Sequence, residues 1–214
     1  MPEEIPGPIT TPPAPPCGEA CPPADPPAVG PVPSEAQCRM LWDAYGMLPN
    51  IREHSELVAC VATALAEAGR AAGLPVVVAA VRAAALLHDL AKTYTIRHGG
   101  NHCQLGGAWV QALTGNPALS QGVVCHVSWP GAIDLRAHFL PLVLIYSDKR
   151  VKHNRIVTLE TRFDDLLVRY GKTAYIRERI RESFQQAEAI ERALAQTLGI
   201  TLHESTFGCG GLVE

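Results

Sequence analysis

Three stretches of the chain set metal-ligand side chains on faces that are otherwise apolar. The first is Asn50-Ile-Arg-Glu-His54-Ser-Glu-Leu-Val-Ala59, in which His54 shares a helical face with Ile51, Val58, Val61 and Leu65. The second is Ala85-Leu-Leu-His88-Asp89-Leu-Ala-Lys92, where His88 falls on the face of Val77, Val81 and Ala84. In the third, Leu144-Ile-Tyr-Ser-Asp148-Lys-Arg150, Asp148 follows Leu144 and Ile145 by one helical turn. A carboxylate placed in a core is costly unless it is paired or bound to a cation. Imidazole and carboxylate together are the donors a borderline divalent metal prefers. Taken singly, each residue has an ordinary reading: a hydrogen-bonded core histidine, a capping or ion-paired aspartate, a chance His-Asp dipeptide. The order His, His-Asp, Asp is more informative than any member of it. Two further histidines stand near helix ends, His102 opening His102-Cys-Gln-Leu-Gly-Gly-Ala and His126 closing Val123-Val-Cys-His126.

Helices must position these groups. Ser34 with Gln37 forms a capping box before a first helix to about Gly46, and Asn50 with Glu53 forms a second before a helix over 51–70. After Gly73 and Pro75, a segment apolar nearly all round predicts a central buried helix from Pro75 to Lys92. A loop over 93–100 ends in Gly99-Gly100, and Asn101 caps a helix to about Leu113. Further helices are expected at 117–127, 139–151, 158–170 and 173–198. Val76-Val77-Val78 and Leu142-Val143-Leu144-Ile145 are short β-branched or aliphatic runs, but each lies in a longer Ala- or Leu-rich segment and reads as helix. The fold class is therefore all-α, over residues 34–200.

The ordered set His54, His88-Asp89 and Asp148 resembles the HD-domain metal phosphohydrolase superfamily. The resemblance extends over about residues 50–170 and includes the Arg52 before the first histidine, the Ala-Leu-Leu lead-in and Lys92. His102 and His126 resemble the extra histidines of the two-metal subgroup, and the pattern is nearest to YqeK-like diadenosine tetraphosphate hydrolases. Ser128-Trp-Pro-Gly departs from that pattern, and no Gly-Tyr-Pro signature of the cyclic-dinucleotide branch is present. The resemblance implies an HD-domain helical bundle and a metal set of His54, His88, Asp89, His102, His126 and Asp148. His98 competes with His102 for its place. Two divalent ions are implied, iron first, with manganese, cobalt, nickel or zinc also suited. Asp89 would bridge them, and a water activated between them would attack phosphorus. Lys92 would contact phosphate beside Asp89 as part of the catalytic machinery, with Lys149, Arg150 and Arg155 as further phosphate ligands. The implied partner is a small phosphorylated molecule, a nucleotide or dinucleotide, with Trp129 and Tyr146 as candidates to stack on a base. His138, His153 and His203 carry no assigned role.

Two other classes share the pattern: a di-iron oxygenase of the same fold, and a non-catalytic regulatory module. Lys92 favours hydrolysis over the first, and the complete ligand set disfavours the second.

The 214 residues are 47% hydrophobic and 18% charged with a net charge of -3, enough for a core and without a pull toward nucleic acid or anionic lipid. Met1-Pro-Glu-Glu is acidic with no apolar stretch behind it, and the run Leu74 to Leu87 contains Arg82 and falls short of the about 20 residues a bilayer requires. A cytoplasmic protein without membrane or nucleic-acid partners is expected, its self-association left open. Most of the 18 prolines lie in residues 1–33, which read as a disordered tail or linker, and 201–214 read as a flexible tail. Seven cysteines without framework spacing are expected to be free thiols. Cys17 and Cys21 have no second pair to complete a zinc site.

Overall fold

The computed structural model describes residues 30–203 and 207–209. The expected tail over 1–29, with Cys17 and Cys21, lies outside the described residues. Nine helices run through the described part: α1 (Glu35–Ala44), α2 (Pro49–Ala71), α3 (Val78–Leu87), α4 (Lys92–His98), α5 (His102–Thr114), α6 (Pro117–Cys125), α7 (Phe139–Lys149), α8 (Leu159–Tyr170) and α9 (Ala174–Leu198). A two-stranded antiparallel hairpin, β1 (Val151–Lys152) and β2 (Arg155–Ile156), follows α7. The all-α class is correct. None of these helices is long and apolar enough to cross a membrane.

The core is organised around α3 and α7. Both are buried nearly all round, as their continuous apolar sequence demands. Helix α2 lies along both, and α6 packs on both from another side. Helices α5 and α6 form a hairpin, as do α8 and α9, and α9 also rests on α7. Gly106 and Gly107 bring α5 close to its neighbours. A Cβ at Gly107 would meet Val124 Cγ2 at 2.2 Å and the Ser120 carbonyl at 3.2 Å, and one at Gly106 would meet Val123 at 3.2 Å.

Local sequence signals and the structure agree at some helix ends and part at others. Ser34 and Gln37 do form a reciprocal capping box. Asn50 and Glu53 do not: α2 begins at Pro49, which needs no amide partner at the first helical position, and Asn50 lies inside the helix. The expected helix over 75–92 is interrupted. It ends at Leu87, residues 88–91 form turns, and the expected loop over 93–100 is largely α4. Two positive-φ residues, Gly99 (77°) and Gly100 (101°), then turn the chain into α5. The hairpin was not expected. It turns through His153 at φ 56°.

The ends of the described chain also differ from expectation. Asn116 is buried, and its Nδ2 donates to the carbonyls of Gly30 (2.9 Å) and Pro31 (3.3 Å), holding the end of the Pro-rich segment on the α5–α6 turn. Leu202 and Cys209 are buried in the core, so 201–203 and 207–209 pack on the bundle and do not form a loose tail. Cys60 and Cys209 are joined by a disulfide across Cα atoms 6.0 Å apart, correcting the expectation of free thiols throughout. Cys38, Cys103 and Cys125 are free.

The last turn of α3 is anchored from outside the helix. With Leu90 N donating to Leu87 O, the Leu86 carbonyl is left without its helical donor. The indole Nε1 of Trp42 in α1 donates to it at 2.8 Å in a fully enclosed position. Trp42→Phe would strand that acceptor and is expected to cost about 1–3 kcal/mol of stability, measured as a lower midpoint in urea denaturation followed by circular dichroism.

Candidate metal centre

The break after Leu87 has a chemical consequence. Successive residues of a helix point about 100° apart, so a continuous helix would send His88 and Asp89 in different directions. Because the chain leaves α3 at His88, both side chains turn toward one point. His88 Nδ1 donates to the Ala85 carbonyl at 2.7 Å, which leaves Nε2 as the free lone pair. His126, just past the end of α6, repeats the device: its Nδ1 donates to Val123 O at 2.7 Å. At the start of α5, Asn101 Oδ1 accepts from the amides of Cys103 and Gln104, fixing the turn that carries His102.

Six expected ligand residues converge on one buried centre. His54 Nε2 lies 2.9 Å from Asp148 Oδ1, and His88 Nε2 lies 3.8 Å from the same oxygen. His88 Nε2 is also 3.4 Å from Asp89 Oδ2. The other Asp89 oxygen, Oδ1, faces His102 Nε2 at 3.4 Å and His126 Nε2 at 3.7 Å, and those two nitrogens are 3.2 Å apart. Asp89 therefore divides the centre, one oxygen toward each half. Three groups of donor atoms lie within 4.8 Å of one another: His54, His88 and Asp148; His88, Asp89 and His126; and His102, Cys103 and His126. Each group can hold a metal ion. His98 belongs to none of them; it packs on Tyr94 with ring centroids 4.5 Å apart, so His102 takes the contested place.

Two observations fit a cation. His88 Nε2 and Asp89 Oδ1 are both buried without a hydrogen-bond partner among the described residues, a costly state for acceptors this deep. The protonation states of five of the six residues, His88 excepted, also suit one. Burial opposes charge on Asp89, but His88 and Lys92 outweigh it and hold the carboxyl well below its usual range. Burial likewise opposes charge on Asp148, and Lys149 and His54 hold it well below that range. Burial, reinforced by His88, pushes His126 down to about 3. It also lowers His54 and His102. For His88 burial is overridden by Asp89 and Asp148, which raise it. Ionised carboxylates and neutral imidazoles are the forms that bind metals.

His54, Asp89, His102, His126 and Asp148 line a cavity of about 630 Å³. Lys92 lines it, its Nζ donating to Asp89 Oδ2 at 2.6 Å, and Lys149 lines it while donating to Asp148 Oδ2 at 2.6 Å. Arg150 does not reach it. This side chain is buried in the opposite direction, donating to Val157 O (2.6 Å), Tyr146 Oη (2.5 Å), Leu202 O (2.6 Å) and His203 O (3.1 Å). Arg155 is on β2 and outside the cavity lining. The expected base-stacking residues are also elsewhere. Tyr146 is buried with its hydroxyl donating to Glu191, and Trp129 packs on His138 with its Nε1 donating to Ala132 O. In their place α8 and α9 supply Arg162, Arg169 and Arg179, with Phe163, Tyr170 and Ile176. Arg162 Nε is buried with no partner among the described residues. These cations escaped the sequence reading because they lie far from the histidine pattern. The signal that marked them was the strong amphipathic charge of 158–198. His153 lines the cavity as well, and Cys103 joins the ligand cluster; neither was singled out.

Compared with known proteins, the chain matches no family model, no curated protein and no solved structure.

Arg150 ties the end of α7 to the hairpin and the C-terminal segment. Arg150→Leu is expected to cost about 3–5 kcal/mol, the usual effect of breaking a buried ionic network, seen as a lower urea midpoint. Bound metal per folded chain, measured by inductively coupled plasma mass spectrometry, should stay unchanged.

Proposed function

We propose that this protein is a metal-dependent phosphohydrolase of the HD type, acting on a nucleotide or a related phosphorylated small molecule. The observation that carries the reading is the divided centre: Asp89, with one oxygen unpartnered, between two histidine nests at the foot of a cation-lined cavity. His54, His88, Asp148 and Asp89 would hold one divalent ion, and His102, His126 and Asp89 a second. Nitrogen and oxygen donors of this kind suit iron, with manganese, cobalt, nickel and zinc as competitors. Ions held there supply Lewis acidity and a water acidic enough to act as a nucleophile near neutral pH.

The chain's own groups provide the rest. Lys92 keeps Asp89 ionised and fixes its Oδ2, so that Oδ1 stays directed at His102 and His126. Lys149 does the same for Asp148, leaving Oδ1 to face His54 and His88. Lys92 is only partly enclosed and has capacity for a phosphate oxygen as well as Asp89. Arg162, with its unpartnered Nε, is a fitting donor to phosphate further out, and guanidinium binds such oxygens in a forked geometry. A net charge of -3 over the whole chain makes this concentration of cations along one cavity a local feature, suited to a polyanion. The apolar part of the lining, including Phe163, Leu166, Tyr170 and Ile176, offers a surface for a nucleoside.

The test is phosphate release from a panel of nucleotides and dinucleotides by metal-loaded protein, with oxygen consumption followed in parallel. Hydrolysis of at least one compound is expected, and Asp89→Ala should reduce it to background while losing bound metal. Oxygen uptake with all phosphoesters intact would sink the proposal in favour of an oxygenase. Arg162→Ala is expected to raise KM by about 10- to 100-fold with kcat little changed, since a hydrogen bond to a charged group contributes about 1.5–3 kcal/mol; initial-rate kinetics on the best substrate reads this directly.

A further inference from the structure

The half of the centre built by α5 and α6 contains a donor that the phosphohydrolase reading leaves unused. Cys103 follows His102 in the first turn of α5 and is 7% exposed. Its Sγ lies 3.6 Å from His102 Nε2 and 3.9 Å from His126 Nε2. The same two nitrogens are 3.2 Å apart and lie 3.4 and 3.7 Å from the unpartnered Asp89 Oδ1. These spacings can be compared with a tetrahedron. Metal–nitrogen and metal–oxygen bonds of about 2.0–2.2 Å and a metal–sulfur bond of about 2.3 Å give edges of about 3.4 Å between nitrogen or oxygen donors and about 3.6 Å between nitrogen and sulfur. The five edges measured here, three among His102, His126 and Asp89 and two from Cys103 to the histidines, lie within about 0.3 Å of these values.

We propose that Cys103 is a thiolate ligand of this half of the centre, completing a set of two imidazoles, one carboxylate oxygen and one sulfur. The proposal rests on the metal reading of the centre and goes beyond it by making the two halves chemically unequal. His54, His88 and Asp148 offer only nitrogen and oxygen. The half containing Cys103 is softer and favours zinc, cobalt or ferrous iron over manganese or magnesium. On binding, the Cys103 S–H bond breaks, a sulfur–metal bond forms, and the proton leaves to solvent; no oxidation state changes. Sulfur adds a full negative charge to the share of Asp89 that this half receives, so more of a divalent ion's charge is offset here than nitrogen and oxygen donors alone would offset. An ion at this half is therefore held in the resting protein.

Cobalt distinguishes the arrangements, because thiolate ligation adds an intense near-ultraviolet charge-transfer band that nitrogen and oxygen donors do not give. Chelator-treated, disulfide-intact full-length protein is titrated anaerobically with cobalt(II). The wild type is expected to develop that band along with the visible ligand-field bands. Cys103→Ser should keep bound cobalt and the visible bands but lose the near-ultraviolet one, and Cys125→Ser should keep both. Cobalt binding without the charge-transfer band in the wild type overturns the thiolate assignment and leaves the metal centre standing. Absence of cobalt binding overturns both. If Cys103→Ser loses its helical circular dichroism, the wild type decides by alkylation mapped with mass spectrometry. Metal should protect Cys103 and not the half-exposed Cys125, and equal labelling of Cys103 with and without metal overturns the proposal.

Discussion

A carboxylate almost completely removed from water, with one oxygen left without a donor, sets the terms for the rest of this molecule. Asp89 is 1% exposed, and Lys92 provides only one of the contacts its charge requires. Ionised carboxylates are stable at such depth when cations surround them. Here the cations and dipoles are arranged on both sides: Lys92 and His88 at Oδ2, two imidazoles at Oδ1. The helices that supply them fit this need. Helix α3 stops where His88 and Asp89 must turn together, α5 starts where His102 must arrive, and α6 ends where His126 must point back. The glycines at 106 and 107 let α5 approach closely enough for His102 and His126 to face each other.

The clustered residues were legible in the sequence because polar side chains on apolar helical faces violate the expected pattern, and His54, His88 and Asp148 each do so. The helices too were largely legible, from periodicity and from caps such as Ser34 and Asn101. The interruption of α3 was not. Leu90 and Ala91 are as apolar as the residues before them, and nothing local signals that the helix ends at Leu87. The break reflects packing around the centre, a tertiary effect to which local propensity is blind. Asn50 failed for a different reason. Its spacing to Glu53 met the capping-box rule, but Pro49 occupies the first helical position and the competing signal prevailed.

The cations were misread because sequence proximity stood in for spatial proximity. Lys149 and Arg150 are neighbours, yet only Lys149 turns toward the cavity. Arg150 lies on the other side of α7, where Tyr146, one turn earlier, and the carbonyls of Val157, Leu202 and His203 consume its donors. No pattern in Asp148-Lys-Arg150 distinguishes the two roles. Conversely, Arg162 and Arg169 are two helical turns apart on α8 and join Arg179 of α9 along one cavity. Their coming together depends on the α8–α9 hairpin folding over α7, which is a matter of topology.

A division of labour follows from that topology. The candidate metal centre is assembled by α2, by the turn between α3 and α4, and by α5, α6 and α7, all locked into the common core. The outer cavity is lined by α8 and α9, whose remaining surfaces are far more polar and exposed. Substitutions among Arg162, Phe163, Tyr170, Ile176 and Arg179 can alter what fits the cavity while leaving the geometry around Asp89 unchanged. A core that fixes the cluster and a peripheral hairpin that shapes the cavity can evolve separately. The two meet at Lys92, which contacts Asp89 and also lines the cavity. Its position would couple the charge of any anion entering the cavity to the carboxylate on which the cluster is built.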